Sequence, residues 1–193
     1  MPTARPPQRA DARRSVARIL DAALDALASD PEASMAAIAR RAGVVRATIY
    51  VHFPTREALI AAITERAIAE VSAAIESAEP ARGEPAEALE RVITAAWRGL
   101  GRYHALVEIN MRLASADLHA LHAPVLDVIV PLIERGQRDG AFRADVPAAW
   151  HLATLLALIH AASGELSASR ISAAQVESAL PASVLGAVAA PQA

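Results

Sequence analysis

The stretch at residues 34–56 constrains the fold more than any other part of the chain. Ser34 is a typical helix N-cap residue, and the small and apolar residues after it predict a short helix that Gly43 ends in the left-handed conformation. A second short helix is predicted at about 46–52, and Pro54 ends it. Two short helices joined by a glycine-containing turn indicate a helix-turn-helix, which lays its second helix in a DNA major groove.

Apolar residues recur at helical spacing along the rest of the chain, so we expect an all-α protein. The proline- and glycine-rich segment 79–85 is predicted to be a linker. Pro124 is expected to open the seventh helix and Pro131 to kink it, whereas Pro181 should bend the last helix or make it restart. Four further helices are predicted at about residues 9–29, 56–78, 85–100 and 148–163. Another helix is expected to follow Gly101, the seventh helix should end before Gly140, and the last helix should begin near residue 172.

Composition narrows the possible chemistry. Cysteine is absent, which excludes a disulfide framework, a thiol nucleophile and a thiolate metal site. All 19 basic residues are arginine, and the net charge of −2 is unevenly spread. Residues 1–66 hold ten arginines and seven acidic residues (+3), and residues 67–193 hold nine and fourteen (−5). This asymmetry directs a polyanion such as DNA toward the N-terminal third.

The sequence also indicates where in the cell the protein is expected. The first residues are polar and proline-rich, which predicts a flexible arm and not a signal peptide. The longest apolar run, at 148–163, is interrupted by His151, Thr154 and His160. It is shorter than the roughly 20 residues that span a bilayer. We therefore expect a soluble, cytoplasmic protein.

Three spaced segments carry a family resemblance. The segments Ala39–Val44, Thr48–Phe53 and Thr55–Leu59 together resemble the DNA-binding domain of the tetracycline-repressor (TetR) family of bacterial regulators. A weaker likeness, at Arg135–Asp145, resembles the connection between two late helices in many members. The resemblance implies a DNA-binding domain with an N-terminal arm at 1–55. It also implies a helical domain for ligand binding and dimerisation at 56–193.

The same resemblance implies which residues contact DNA. Thr48, Tyr50 and His52 are expected to touch the backbone or nearby bases, and Arg46 stands where it could donate to guanine O6 and N7. Two departures from the family pattern concern Met35, which replaces a frequent phosphate-binding threonine, and Val45, which replaces a common capping serine. The complete set of predicted DNA-binding residues is Ser34, Arg46, Thr48, Tyr50, His52 and Arg56.

A ligand pocket is predicted among the inner faces of helices five, six and eight. Small-molecule sites are mostly apolar with a few polar groups, and several polar residues fall on apolar faces here. For Tyr103 and Asn110, each taken alone, an ordinary core residue whose polar group is satisfied is the favoured interpretation, and the other candidates could be ordinary core as well. The candidates are Trp97, Tyr103, Asn110, Met111, His151 and His160.

No metal or cofactor is expected. His119 and His122 are three residues apart and could share a helix face, but no second cluster of ligands accompanies them. A solvated connector is the favoured interpretation of that segment.

Three classes of function are compatible with these features. The favoured one is a transcriptional repressor that binds a palindromic operator as a homodimer and is released by a small molecule. Dimerisation is expected because helix eight is apolar nearly all round and carries small residues at 153, 157, 161 and 164. The alternative is a DNA-binding regulator without a small ligand, controlled by a protein partner. An enzyme is disfavoured, because a nucleophile elbow, a phosphate-binding loop and a His-Glu-x-x-His site are all absent from the sequence.

Overall fold

The computed structural model describes residues 7–110 and 115–191, with the side chains of 11–107, 109–110 and 120–191. The chain divides into two compact units, Met1–Glu65 and Arg66–Ala193. The division lies inside one helix, ten residues beyond the boundary predicted at 55/56. The described residues contain helices and one isolated antiparallel bridge, between Phe142 and Ala189, so the predicted all-α class is confirmed.

The N-terminal unit is built from short helices around an aliphatic core. It contains α1 (Pro7–Ser29), α2 (Met35–Arg41), α3 (Arg46–His52) and the first part of α4 (Arg56–Ser77). Helix α1 packs on α2, and α2 packs on α3. The buried apolar side chains recur at helical spacing and include Ile19, Ala23, Leu27, Ile38, Ile49, Phe53, Leu59 and Ile63.

Local capping chemistry sets the ends of the short helices. The Ser34 hydroxyl accepts from the Ala37 N–H at 3.2 Å, and Gly43 ends the turn with a φ of +65°. Val45, the N-cap of α3, makes no side-chain capping bond. Thr55 caps α4 by accepting from the Ala58 N–H at 3.1 Å. The helix-turn-helix boundaries predicted from these residue types are confirmed.

The C-terminal unit contains the rest of α4 and five further α-helices among the described residues. They are α5 (Pro85–Leu100), α6 (His104–Asn110), α7 (Ser115–Arg138), α8 (Ala148–Ser167) and α9 (Ala173–Val188), with a 3₁₀ turn at Gly101–Tyr103 before α6. Helices α5, α7, α8 and α9 pack around one apolar core, to which α4 contributes Val71 and Ile75.

One expectation about proline is wrong, and one of the two alternatives for another is excluded. Helix α7 begins at Ser115 instead of at Pro124, so both Pro124 and Pro131 lie inside it. Helix α9 continues through Pro181, which is itself buried, and does not restart there. A proline within a helix removes one backbone hydrogen bond. Buried apolar residues that pack on the core stabilise both helices, and they lie after Pro124 and on both sides of Pro131 in α7, and on both sides of Pro181 in α9.

Membrane insertion is not supported by the part of the chain that the structure describes. None of the helices there is both long enough and apolar enough to cross a bilayer.

Candidate nucleic-acid interface and internal cavity

Helix α3 presents most of its surface outward. Ile49 is its one buried residue, and it anchors the helix in the N-terminal core. Arg46 and Tyr50 are exposed, and Thr48 and His52 are partly exposed. A seven-residue helix held by a single buried side chain leaves the remaining side chains available to a partner.

Arg46 and Tyr50 form a defined pair on this surface. They are one helical turn apart, and the guanidinium carbon of Arg46 lies 5.5 Å from the Tyr50 ring centroid. Arg46 Nη2 also donates to the Tyr50 hydroxyl, at 3.4 Å. The ring holds the flat guanidinium in one orientation by a cation–π contact, which lowers the entropy that Arg46 would lose on binding. The rest of the guanidinium donors remain for a bound acceptor.

Two exposed valines flank this pair and were not among the predicted site residues. Val45 is 71% exposed and Val51 is 78% exposed. Valine methyls are suited to contact the thymine methyl group in a major groove. For Val51 the signal in the sequence is its position two residues from Ile49, which places it off the buried face.

Ser34 and Arg56 lie at helix starts and already have structural roles. The Ser34 hydroxyl caps α2 and is exposed. Arg56 Nη2 donates to the carbonyl of Pro31 and so links the start of α4 to the loop after α1. The buried Arg56 Nε has no hydrogen-bond partner among the described residues. Arg56 therefore orders the loop that precedes α2, in addition to carrying positive charge.

The C-terminal unit encloses a small cavity of about 70 Å³. Its lining comes from α4 to α8 and is aliphatic except for two histidines, His122 on α7 and His160 on α8. Their ring centroids are 6.3 Å apart, in an edge-on arrangement. Burial lowers the pKa of His160, and the neighbouring His122 lowers it further. The aliphatic lining residues are Ala67, Ile68, Val71, Ala96, Leu100, Val107, Val125, Ile129, Leu155, Leu156 and Ile159.

Of the six predicted ligand-binding residues, His160 lines this cavity and the other described ones do not. The Trp97 ring stacks on His104, with centroids 4.4 Å apart. The Tyr103 hydroxyl donates to Glu70 at 2.7 Å. His151 is buried and its Nε2 donates to the Arg143 carbonyl at 2.9 Å.

The two remaining candidates are both close to the gap in the described chain. Asn110 is partly buried at the end of α6 and is not a lining residue of the cavity. Met111 lies outside the described residues. Sequence reasoning treated His122 as part of a solvated connector, whereas the structure places it in a helix and at the cavity wall.

A metal centre finds no support in the described part of the chain. No group of three or more histidine, aspartate or glutamate side chains is gathered there in a way that could hold an ion. Two imidazoles whose centroids are 6.3 Å apart fall short of the three or four ligands that zinc sites use.

The N-terminal unit of this chain resembles known proteins in sequence. A family described as "Bacterial regulatory proteins, tetR family" matches residues 19–63, which include the helix-turn-helix. The transcriptional repressor LfrR of Mycolicibacterium smegmatis is 41% identical over 75 residues. Residues 19–63 are thus a TetR-family DNA-binding domain. The aligned part spans 39% of this chain and only 40% of that repressor.

The fold of TetR-family structures extends over nearly all of this chain. The structure of LfrR from Mycobacterium smegmatis in complex with proflavine is 28% identical, with a TM-score of 0.71, and the match covers 93% of this chain and 99% of that one. FadR from Bacillus subtilis, in complex with stearoyl-CoA, shares the fold at 15% identity, with a TM-score of 0.73 and coverage of 89% and 98%. The matched family and the relative LfrR are both described as transcriptional regulators, which agrees with the expectation that the protein is not an enzyme.

Proposed function

We propose that this protein is a transcriptional repressor that binds a palindromic operator as a homodimer and releases it when a small molecule binds. The observation that supports DNA recognition most strongly is the outward face of α3, with Arg46 ordered on Tyr50. The excess of positive charge in residues 1–66 favours the same surface.

Within that face the proposed roles differ. Arg46 donates to guanine O6 and N7 and supplies base discrimination. Val45 and Val51 add apolar contacts to thymine methyl groups. Thr48, Tyr50 and His52 contact the backbone or adjacent bases, and Ser34 and Arg56 meet phosphates near the starts of α2 and α4, where unpaired N–H groups favour an anion.

A homodimer is proposed because α8 leaves a row of small side chains exposed. Ala153, Ala157 and Ala161 recur every fourth residue and are open to solvent in the single chain. Such a row permits two helices to approach closely. Two copies would place their α3 helices on half-sites one helical turn apart, about 34–36 Å.

Release by a small molecule is proposed to act through the cavity between α4 and α8. The relatives LfrR and FadR have been seen with proflavine and stearoyl-CoA respectively, which supports a ligand-responsive C-terminal domain. A ligand acts only through its different affinity for the DNA-binding and released states. At about 70 Å³ the cavity is far below the roughly 300–1,000 Å³ of typical ligand sites. Binding therefore requires the lining helices to move apart, and that movement is the proposed signal.

The same small volume gives the alternative its best support. A regulator controlled by a protein partner needs no internal site, and its C-terminal core could remain closed. The two proposals differ in one observable: a small molecule that weakens DNA binding by the purified protein exists only under the first.

The proposal is tested by mapping the DNA that the purified full-length protein protects. Fragmented genomic DNA is incubated with the protein, and the protected fragments are sequenced. We expect enrichment of an inverted repeat whose half-sites are centred one helical turn apart. DNA recognition by α3 would be refuted if the protected fragments shared no sequence. It would also be refuted if a variant with both Arg46 and Tyr50 replaced by alanine protected the same fragments.

A further inference from the structure

A surface groove of the C-terminal unit lies between α7 and the loop that follows α4; we call it the α7 groove. The loop contributes Pro80 and Ala81 to its lining, and α7 contributes five residues from Val128 to Arg138. Its volume is about 290 Å³, close to the lower end of the roughly 300–1,000 Å³ of small-molecule sites. The groove is larger than the internal cavity of about 70 Å³ and shares no lining residue with it.

The chemistry of the α7 side changes along the length of the groove. Val128, Pro131 and Leu132 are apolar, and Arg135 and Arg138 follow them in the lining. These positions are mostly three or four residues apart, so they share one face of the helix. Val128 and Arg138 are ten residues apart, which is about 15 Å of helix. The groove is therefore apolar toward one end and cationic toward the other.

Arg135 holds a fixed positive charge in the groove. Its Nη1 donates to the carbonyl of Ala81, and its Nη2 donates to the carbonyl of Pro80 at 3.1 Å. Its Nε is buried and has no hydrogen-bond partner among the described residues. Carbonyl dipoles orient a guanidinium without neutralising it, and none of the ion pairs within the described part of the chain includes Arg135.

Arg138 supplies donors that the fold itself does not use. It is the exposed last residue of α7, and among the described residues no ion pair or side-chain hydrogen bond engages it. The end of the helix does not need it, because the carbonyls of Arg135, Gly136 and Gln137 accept from backbone N–H groups at 139–142. Its planar fork of N–H donors matches the two oxygens of a carboxylate.

The acidic side chains nearest in sequence are not part of the lining. On the loop, Glu79 pairs with Arg82 at 3.0 Å, so their two charges balance. On and just after α7, Asp127, Glu134 and Asp139 are exposed and lie outside the lining. Among the described side chains, the lining therefore carries two positive charges and no negative one.

This arrangement discriminates between ligand classes. An ammonium ion would be repelled by two guanidinium groups and would find no counter-charge. A neutral amide would gain ordinary hydrogen bonds only. A carboxylate would form a charge-assisted, bidentate hydrogen bond with Arg138 and would be attracted by Arg135, while its hydrocarbon part would cover apolar surface on α7.

We propose that the α7 groove binds a small amphipathic carboxylic acid as its anion, with the carboxylate on Arg138 and the hydrocarbon part against Val128, Pro131 and Leu132. The groove is a second site, separate from the internal cavity. It needs no separation of helices, because its volume is already present. A ligand bound there contacts both α7 and the loop after α4, and the inference does not rest on the proposed release of DNA.

Three probes with comparable hydrocarbon chains test the ligand class: hexanoate, hexanamide and hexylamine. Each is titrated at neutral pH into full-length protein with labelled methyl groups, and NMR follows Val128 and Leu132 in the groove and Leu155 and Ile159 in the internal cavity. We expect hexanoate to shift the Val128 and Leu132 signals and to bind about fivefold or more tightly than hexanamide. Its affinity should fall as salt is added.

Several results would overturn the proposal. They are equal binding of hexanoate and hexanamide, tighter binding of hexylamine, and no binding of any probe at millimolar concentration. Hexanoate shifts confined to Leu155 and Ile159 would assign the acid to the internal cavity instead. Val128 and Leu132 signals that change with protein concentration in the absence of a probe would assign the groove to a second copy of the chain, which also overturns the proposal.

Substitutions locate the effect at Arg138. Arg138→Gln should lower hexanoate affinity about fivefold and leave hexanamide affinity unchanged, because a charge is lost and a polar group is kept. Arg138→Lys should retain part of the preference, since the charge stays and the planar fork is lost. Arg82→Gln is the matched control, because this exposed arginine is on the facing loop and lies outside the lining. Unchanged hexanoate affinity in Arg138→Gln would overturn the proposal.

Discussion

At the scale of single residues, the contact between Arg46 and Tyr50 leads to a specific prediction about base preference. The tyrosine ring orients the guanidinium, so Arg46 can meet a guanine without first losing much conformational freedom. Arg46→Ala should relax preference at one base pair in each half-site, at a cost of about 1–3 kcal/mol. Binding to a library of single-base operator variants measures this.

The matched control for that substitution is Tyr50→Phe. It keeps the ring beneath the guanidinium and removes only the hydroxyl that Arg46 contacts. Its effect on base preference should be the smaller of the two. If Arg46→Ala instead weakens every sequence equally, Arg46 is a phosphate contact, and discrimination must come from other residues of α3 or from DNA shape.

Arg56 differs from Arg46 because it has both a structural contact and a proposed phosphate contact. Arg56→Ala should weaken binding to all sequences about equally, and the salt slope of log K should fall by about one. It should also lower stability, because the carbonyl of Pro31 loses its donor. Arg56→Lys is the control that keeps the charge. An unchanged salt slope with a lower melting temperature would show that Arg56 acts only on the loop.

At the scale of elements, the short helices were predictable because their signals are local. A capping hydroxyl at Ser34 and a left-handed glycine at Gly43 act within one turn, and both are observed. The start of α7 was not predictable in this way. Considered locally, Pro124 favours a helix start. The helix nevertheless includes Pro124, and the residues that follow it and pack on other helices are Val125, Leu126 and Ile129. Such long-range contacts cannot be read from spacing alone.

The predicted pocket residues show the same limitation. Trp97, Tyr103 and His151 were chosen as polar or amphipathic groups on inner helix faces, and the structure buries all three. Their partners, His104, Glu70 and the carbonyl of Arg143, lie on elements whose arrangement the sequence does not give. His160 and His122 border empty space because helices α7 and α8 pack imperfectly there. A cavity is a property of that packing and has no sequence motif.

The end of α7 depends on a glycine without a side chain. A Cβ on Gly136 would lie 2.1 Å from the ring of Phe142, which is buried in the core. Gly136→Ala should therefore displace that ring and destabilise the protein by about 1–3 kcal/mol, as overpacking does. Chemical unfolding measures the change. Gly186→Ala in α9 is the control, since nothing lies within 4 Å of its Cβ position. Equal stability of the two variants would contradict this account.

At the scale of the whole molecule, function is proposed to need two copies of the chain. Ala157→Arg places a long charged side chain in the exposed row of small residues on α8. It should yield folded monomers that no longer bind the operator, as light scattering and circular dichroism would show. Ala86→Arg, at an exposed alanine of α5, is the control and should leave the dimer intact. An unsubstituted protein that is monomeric at micromolar concentration would contradict the proposed dimer.

The central claim is that α3 recognises a specific DNA sequence. The ratio of the affinities for a specific and a scrambled duplex tests this claim directly. Fluorescence anisotropy gives the affinity of the full-length protein for the protected inverted repeat and for a scrambled duplex of the same composition, at one salt concentration. Specific recognition predicts a preference for the repeat of about 10³-fold or more, which falls when Arg46 is replaced by alanine. Equal affinity for the two duplexes would contradict the claim and leave only nonspecific attraction to phosphate.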